Sequence, residues 1–415
     1  MGTLPGRSRA FGVSIGIGYG GRMSASRGAV LAWVTRIRSH GAAVSCLAVM
    51  LALGGAADAR AGSRYYVDPS GNDRHSGGSP GRAWRTVGRV NRASLEPGDV
   101  VAFRGGRRFG DAPLIPRRSG SPRARIRYRS FGGGQAILTR GVFLESIAWI
   151  TLDGLRMRGA EQGISSAAGG SGARHVDLQR NTISNVQIGI NSPNALDSSW
   201  RIVDNHIRRT GDSGLIIQGS DFKLARNRIT MTGTDPRIEY GKHGIYAKGP
   251  RLTMLRNRIR GFATEGISTR FHDAVISGNV IEWGQGGIGY YADDLRAGTT
   301  VIRGNTISRV GYGIYIAPDG AAGPARERFR IVDNTIGTTG GAAVDTPADY
   351  GRVEASGNRV FRGPSSERGA PPARPGRRPD LARSTGRGWP WFGAGVAALA
   401  VAFALVMLTR TRIHS

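Results

Sequence analysis

Cysteine is almost missing: Cys46 is the only one in 415 residues. A single thiol excludes an internal disulfide framework and any zinc site built on several cysteines. Lysine is nearly as scarce, with Lys223, Lys242 and Lys248 set against 55 arginines. Acidic residues number only 29, which leaves a formal charge of +29. A surface of that sign attracts polyanions, among them acidic polysaccharide, nucleic acid and anionic lipid, unless the arginine simply reflects coding bias. No recognised nucleic-acid module accompanies the charge, so nucleic acid is not an expected partner.

Long apolar runs are confined to the two ends. Residues 42–57 follow Arg36 and Arg38 and lead into Ala57-Asp58-Ala59-Arg60-Ala61. A basic segment, a short apolar stretch and an A-x-A site predict a secretory signal, with Met23 as an alternative start. Residues 391–409 carry no charge and are just long enough to span a bilayer; Trp389 and Trp391 sit at one edge, Arg410 and Arg412 at the other. Between them, 363–388 are rich in Pro, Gly, Ser and Arg, the composition of a spacer. The expected order is a leader over 1–61, a folded domain over 62–362, a linker over 363–388, a transmembrane helix over 389–409 and a basic cytoplasmic tail over 410–415. The domain then lies outside the cell membrane, periplasmic or at the cell surface, tethered by its C-terminal helix.

What is abundant is glycine, at 65 residues, and it is placed regularly. Asn-x-Ile or its equivalent recurs at Asn181, Asn205, Asn227, Asn257, Asn279, Asn305, Asn334 and Asn358. A second signal, glycine followed by an aliphatic residue, runs between them at Gly163, Gly189, Gly214, Gly244, Gly266, Gly287 and Gly313. A paired signal repeating every few tens of residues predicts stacked supersecondary units. Each unit holds short apolar alternations broken by Gly, Asn or Asp, without a long helical stripe, so the units are β. Asparagine suits a recurring turn because it tolerates left-handed backbone angles, and stacked amides bond along the axis.

These repeats resemble the right-handed parallel β-helix superfamily, the pectate-lyase-like proteins. The opening is similar as well: Tyr65-Tyr66-Val67-Asp68-Pro69, then Ala83-Trp84-Arg85-Thr86-Val87 and Leu95-Glu96-Pro97-Gly98-Asp99 correspond to the N-terminal coil and cap of secreted members. The resemblance covers roughly residues 64–361 and implies an all-β, single-stranded solenoid of about nine or ten coils. It points to acidic polysaccharide as the partner class and a monomer as the state, and leaves lyase, hydrolase, epimerase and non-catalytic binder open.

Strand alternation gives a face map. With Ile245, Ile267, Ile288 and Ile314 inward, one outward row reads Tyr246, Ser268, Gly289, Tyr315 and the next reads Lys248, Arg270, Tyr291, Ala317. His243 and Glu265 come just before the glycines, and Lys242, His272 and Asp273 lie nearby in loops. β-Elimination of a uronate needs a cation to neutralise the carboxylate, a base for the C5 proton and an acid for the leaving oxygen. Arg270 suits the first role and Lys248 the second, with His243 as a rival base; Tyr246 or Tyr291 suits the third. Some β-helix lyases use a Lys and an Arg on neighbouring coils, and this pair resembles that arrangement. Ser268, Glu265, His272 and Tyr315 are the expected substrate contacts. An epimerase would use the same base and neutraliser. A hydrolase would need two carboxylates, for which Glu265 and Asp273 are the nearest pair. No metal site is expected from His243 and His272; calcium is the candidate cation, through Asp293 with Asp294 or Asp345 with Asp349.

Overall fold

The computed structural model describes residues 62–239, 241–292, 298–318, 327–346 and 352–362. The expected leader, linker, transmembrane helix and tail lie outside the described residues, as do Asp293, Asp294 and Asp349. Among the described residues no helix is long and apolar enough to cross a membrane, and the one α-helix, Val87–Asn91, has five residues.

The described chain winds as a right-handed parallel β-helix. Nine coils carry a strand on all three faces, from 126–144 to 328–345. The first face stacks Ile150–Asp153, Asp177–Gln179, Arg201–Val203, Lys223–Ala225 and Thr253–Leu255, each paired in parallel with the next. The second face stacks Arg156–Arg158, Thr182–Val186, His206–Thr210, Arg228–Thr230 and Arg258–Arg260. The third stacks Gln162–Ser166, Ile188–Ser192, Leu215–Ile217, Ile245–Ala247 and Glu265–Thr269.

The repeated residues set this geometry. Ile183, Ile207, Ile229, Ile259, Ile281, Ile307 and Ile336 form one fully buried inward column; Ile164, Ile190, Leu215, Ile245, Ile267, Ile288 and Ile314 form another. A side chain on Gly163, Gly189, Gly214, Gly244, Gly266, Gly287 or Gly313 would collide with the next coil, both its backbone and its second-face isoleucine. Gly244, for example, sits against the Gly266 carbonyl and the Ile259 methyl. Glycine is required there for space and not for an unusual φ.

The asparagines form a continuous buried ladder. Asn227 donates its backbone N–H and its Nδ2 to Asn257 Oδ1, each at 3.0 Å, and Nδ2 also reaches the Ile202 carbonyl at 2.8 Å. The pattern repeats from Asn181 to Asn358. One expectation is corrected. The left-handed residue at this corner is the one before each asparagine, as at Arg180, Asp204, Arg226 and Arg256, with φ between 52° and 57°. That residue makes the reversal, which leaves the asparagine amide free to aim along the axis.

The cap is built as the opening motif predicts. Trp84 is buried, stacks on Tyr65 at 4.7 Å and donates Nε1 to the His75 carbonyl. Asp73 accepts from the Arg85 and Thr86 backbone amides and from the Thr86 hydroxyl at 2.6 Å, tying the loop to the short helix.

Candidate functional site

The third-face register matches the predicted rows: Ile245 pairs with Ile267, Ile267 with Ile288 and Ile288 with Ile314. Tyr246, Ser268, Gly289 and Tyr315 therefore stand side by side on successive coils. Lys248 and Arg270 each follow the paired residues Ala247 and Thr269, at equivalent positions on adjacent coils.

The centre of the patch is Glu265, 7% exposed. Its Oε2 lies 2.7 Å from His243 Nδ1, while Oε1 accepts from the hydroxyls of Tyr291 at 2.8 Å and Tyr312 at 2.5 Å. Two glycines make this convergence possible. Glu265, Gly286 and Tyr312 are in register, so the Tyr312 ring crosses the space a Gly286 side chain would fill. A Cβ on Gly289 would meet the Tyr291 ring at 2.8 Å, so Tyr291 folds back over that coil to the same carboxylate.

Burial pushes the Glu265 carboxyl up, but the bond and charge of His243 and the bonds from Tyr312 and Tyr291 outweigh it and hold the group at about 2. The two phenols move the opposite way: burial first, then the Glu265 charge, raises both. The carboxylate is an ionised acceptor, not a proton donor.

His243 Nδ1 also lies 2.8 Å from Thr264 Oγ1, and that hydroxyl donates to the Gly241 carbonyl at 2.6 Å. Thr264 thus spends its proton on the backbone, and Nδ1 carries the hydrogen shared towards Thr264 and Glu265. Nε2 is left without a hydrogen-bond partner among the described residues. The imidazole stacks on Tyr246 with centroids 5.5 Å apart. The Arg270 guanidinium sits between two aromatic faces, 5.7 Å from Tyr246 and 5.3 Å from Tyr291. Tyr315 packs edge-on against Tyr291 at 5.9 Å and Tyr312 at 6.0 Å.

The structure thus gathers His243, Tyr246, Glu265, Arg270, Tyr291 and Tyr315 on four successive coils. Ser268 shares the row but is covered, at 1% exposed. Lys248 is half-buried, its backbone N–H bonded to the Ile217 carbonyl at 2.6 Å. His272 is buried at the next corner, with Nδ1 2.8 Å from Asp273. The Thr299 amide and His272 hold the Asp273 carboxyl below its ordinary range, so neither Glu265 nor Asp273 is poised as the acid a glycosidase needs. Tyr312 was missed. It occupies the same row as His243 and Glu265, and carrying that row two coils further would have found it. Among the described residues no group of three or more His, Cys, Asp or Glu is placed to hold a metal ion.

Residues 140–336 match the family described as a right handed beta helix region, and the chain resembles pectate-lyase-like proteins in its fold. It is similar to the GH136 lacto-N-biosidase of Eubacterium ramulus, with TM-score 0.53 and 14% identity over 72% of this chain and 68% of that one. It is similar to XylC in complex with xylose, with TM-score 0.54 and 11% identity over 68% of this chain and 70% of that one. Pectate lyase Pel9A superposes at a TM-score of 0.42, with 15% identity over 71% and 79% of the two chains. Likeness at these identities shows the fold alone. No curated protein matches the sequence.

Proposed function

We propose that the third-face patch acts on an acidic, uronate-containing polysaccharide by removing the proton at C5. The observation that carries this reading is the His243–Glu265 pair, buried and oriented beside Arg270. Nδ1 is committed to the carboxylate side, so the neutral imidazole presents its Nε2 lone pair as a base. Arg270, held between Tyr246 and Tyr291, brings its positive charge to a substrate carboxylate, which lowers the cost of the enediolate. The C5–H bond breaks with its proton passing to His243. In elimination the electron pair forms the C4–C5 double bond, and the leaving oxygen at C4 takes a proton from an acid, a role given to Tyr246, whose ring stacks on His243. In epimerisation the proton returns from the opposite face and no bond to C4 breaks.

In this reading His243, oriented by Glu265, is the base, and Lys248 serves the substrate's charge. Tyr291, whose hydroxyl is spent on Glu265, supports the site instead of donating to the leaving group. The reading includes export and tethering by residues 389–409, on the strength of the two apolar segments.

The test is incubation with alginate, polygalacturonate, glucuronan and glycosaminoglycans, following unsaturated-uronate absorbance and, in heavy water, exchange at C5. Absorbance on one polymer, abolished by His243→Ala, identifies a lyase; exchange without absorbance identifies an epimerase. A second reading, a sugar-binding face without chemistry, is favoured by the Tyr291, Tyr312 and Tyr315 cluster as a stacking shelf. Binding with neither absorbance nor exchange selects it and removes the proton-abstraction reading.

A further inference from the structure

The second face carries a feature the proposed site does not use. Across the five coils from Arg156–Arg158 to Arg258–Arg260 its strands contain no aspartate or glutamate. Outward positions hold Arg156, Arg158, Arg208, Arg228, Arg258 and Arg260, the last four exposed or half-buried on three consecutive coils. The first face of the same coils mixes signs, with Asp153 and Asp177 beside Arg201 and Lys223.

Arginine is common everywhere in this chain, so number alone says little; pairing says more. Corner arginines are neutralised by the neighbouring coil: Arg180 by Asp153 at 2.6 Å, Arg226 by Asp204 at 2.6 Å and Arg251 by Asp221 at 2.7 Å. None of the six second-face arginines forms an ion pair among the described residues, and the Nε atoms of Arg156 and Arg208 are buried without a hydrogen-bond partner. His206 stands in the column between Thr182 and Arg228. Burial, and after it the charges of Arg228 and Arg208, lowers its pKa.

We propose that this strip is a binding surface for an extended anionic polysaccharide lying along the solenoid axis. Stacked coils repeat about every 4.8 Å, a spacing of the same order as the sugar repeat of a uronate chain, which bears one carboxylate per residue. Guanidinium groups bind carboxylates through paired N–H donors, so a column of arginines matches a column of carboxylates. No exposed large hydrophobic side chain lies among the six arginines, where insertion into a lipid surface would want one; Met231 is at the corner beyond. The proposal does not rest on chemistry at the third face.

The test uses the full chain and measures affinity for polygalacturonate, dextran, duplex DNA and phosphatidylglycerol vesicles at several salt concentrations. Arg208→Ala/Arg228→Ala/Arg258→Ala/Arg260→Ala is expected to weaken polygalacturonate binding by about tenfold or more and to flatten its salt dependence. Arg127→Ala/Arg129→Ala/Arg303→Ala/Arg328→Ala, on the first face, removes the same charge and is expected to change affinity by about twofold at most. In the unsubstituted protein, polygalacturonate should raise the His206 pKa, read from its imidazole NMR signal, and His243→Ala should leave that rise intact. Equal losses in both fourfold variants, or an unmoved His206, would overturn the proposal. Tighter binding to DNA or vesicles than to polygalacturonate would overturn its choice of partner. A rise that His243→Ala abolishes would place the binding on the third face instead.

Discussion

Two columns of polar residues run along this solenoid, and they are built on opposite rules. In the asparagine ladder every coil supplies the same residue, and every amide is satisfied by the coil next to it. In the row through Glu265, successive coils supply His243, Glu265, Gly286 and Tyr312, and three donors converge on one carboxylate. Repetition stabilises the stack because a bond made once is made at each turn. Departure from it costs regularity and yields an oriented imidazole beside a guanidinium. The coils that break the pattern are the ones that carry the proposed chemistry.

The largest expected effect breaks the ladder. Asn257→Leu orphans two buried donors of Asn227, so unfolding should ease by roughly 2–5 kcal/mol, read from the denaturant midpoint. The corresponding break in the other column should cost stability less and function more. His243→Ala should lower turnover on the responsive polymer by roughly 10²–10³-fold, and it leaves the buried Glu265 carboxylate short of a partner, so stability should fall by about 1–3 kcal/mol.

Two glycines sharpen the contrast further. Gly244→Ala drives a methyl into the backbone of the next coil and should impair folding. Gly286→Ala meets the end of the Tyr312 ring, which can swing away, so the chain should fold and lose about tenfold in rate. Thermal melts and kinetics on the pair separate the two outcomes; similar melts would remove the distinction.

The smallest effect at neutral pH is in acid. Glu265 is held at about 2 against an ordinary 4.5, so its contribution to stability is complete above 4.5 and disappears as pH falls towards 2. Interior Glu327 behaves the other way. Burial raises its carboxyl despite hydroxyls from Thr300 and Tyr290, so it adds nothing to that acid limb. Glu265→Gln should flatten stability between pH 4.5 and 2, whereas Glu327→Gln should leave the slope there unchanged.

Much of this was legible in the residues. The Asn and Gly-Ile spacings gave the coil and its register, and with them the rows holding Tyr246, Ser268, Gly289 and Tyr315. Register is readable because each repeat carries its own markers, and a slip of one residue would expose the isoleucine columns. The left-handed corner residue was not legible. The corner position holds Arg180, Asp204, Arg226 and Gly278 in turn, so no single residue type marks it, and at the arginines and aspartates only the surrounding stack imposes the backbone angle.

The sequence by itself determined the fold, because burial of one isoleucine column and satisfaction of one amide column are demands each coil makes alone. Tertiary stacking decided the site. Glu265 became a low-pKa acceptor, and Gly286 and Gly289 became passages for Tyr312 and Tyr291, only when three further coils closed over them. Those are contacts between residues up to 47 positions apart, and no local pattern encodes them.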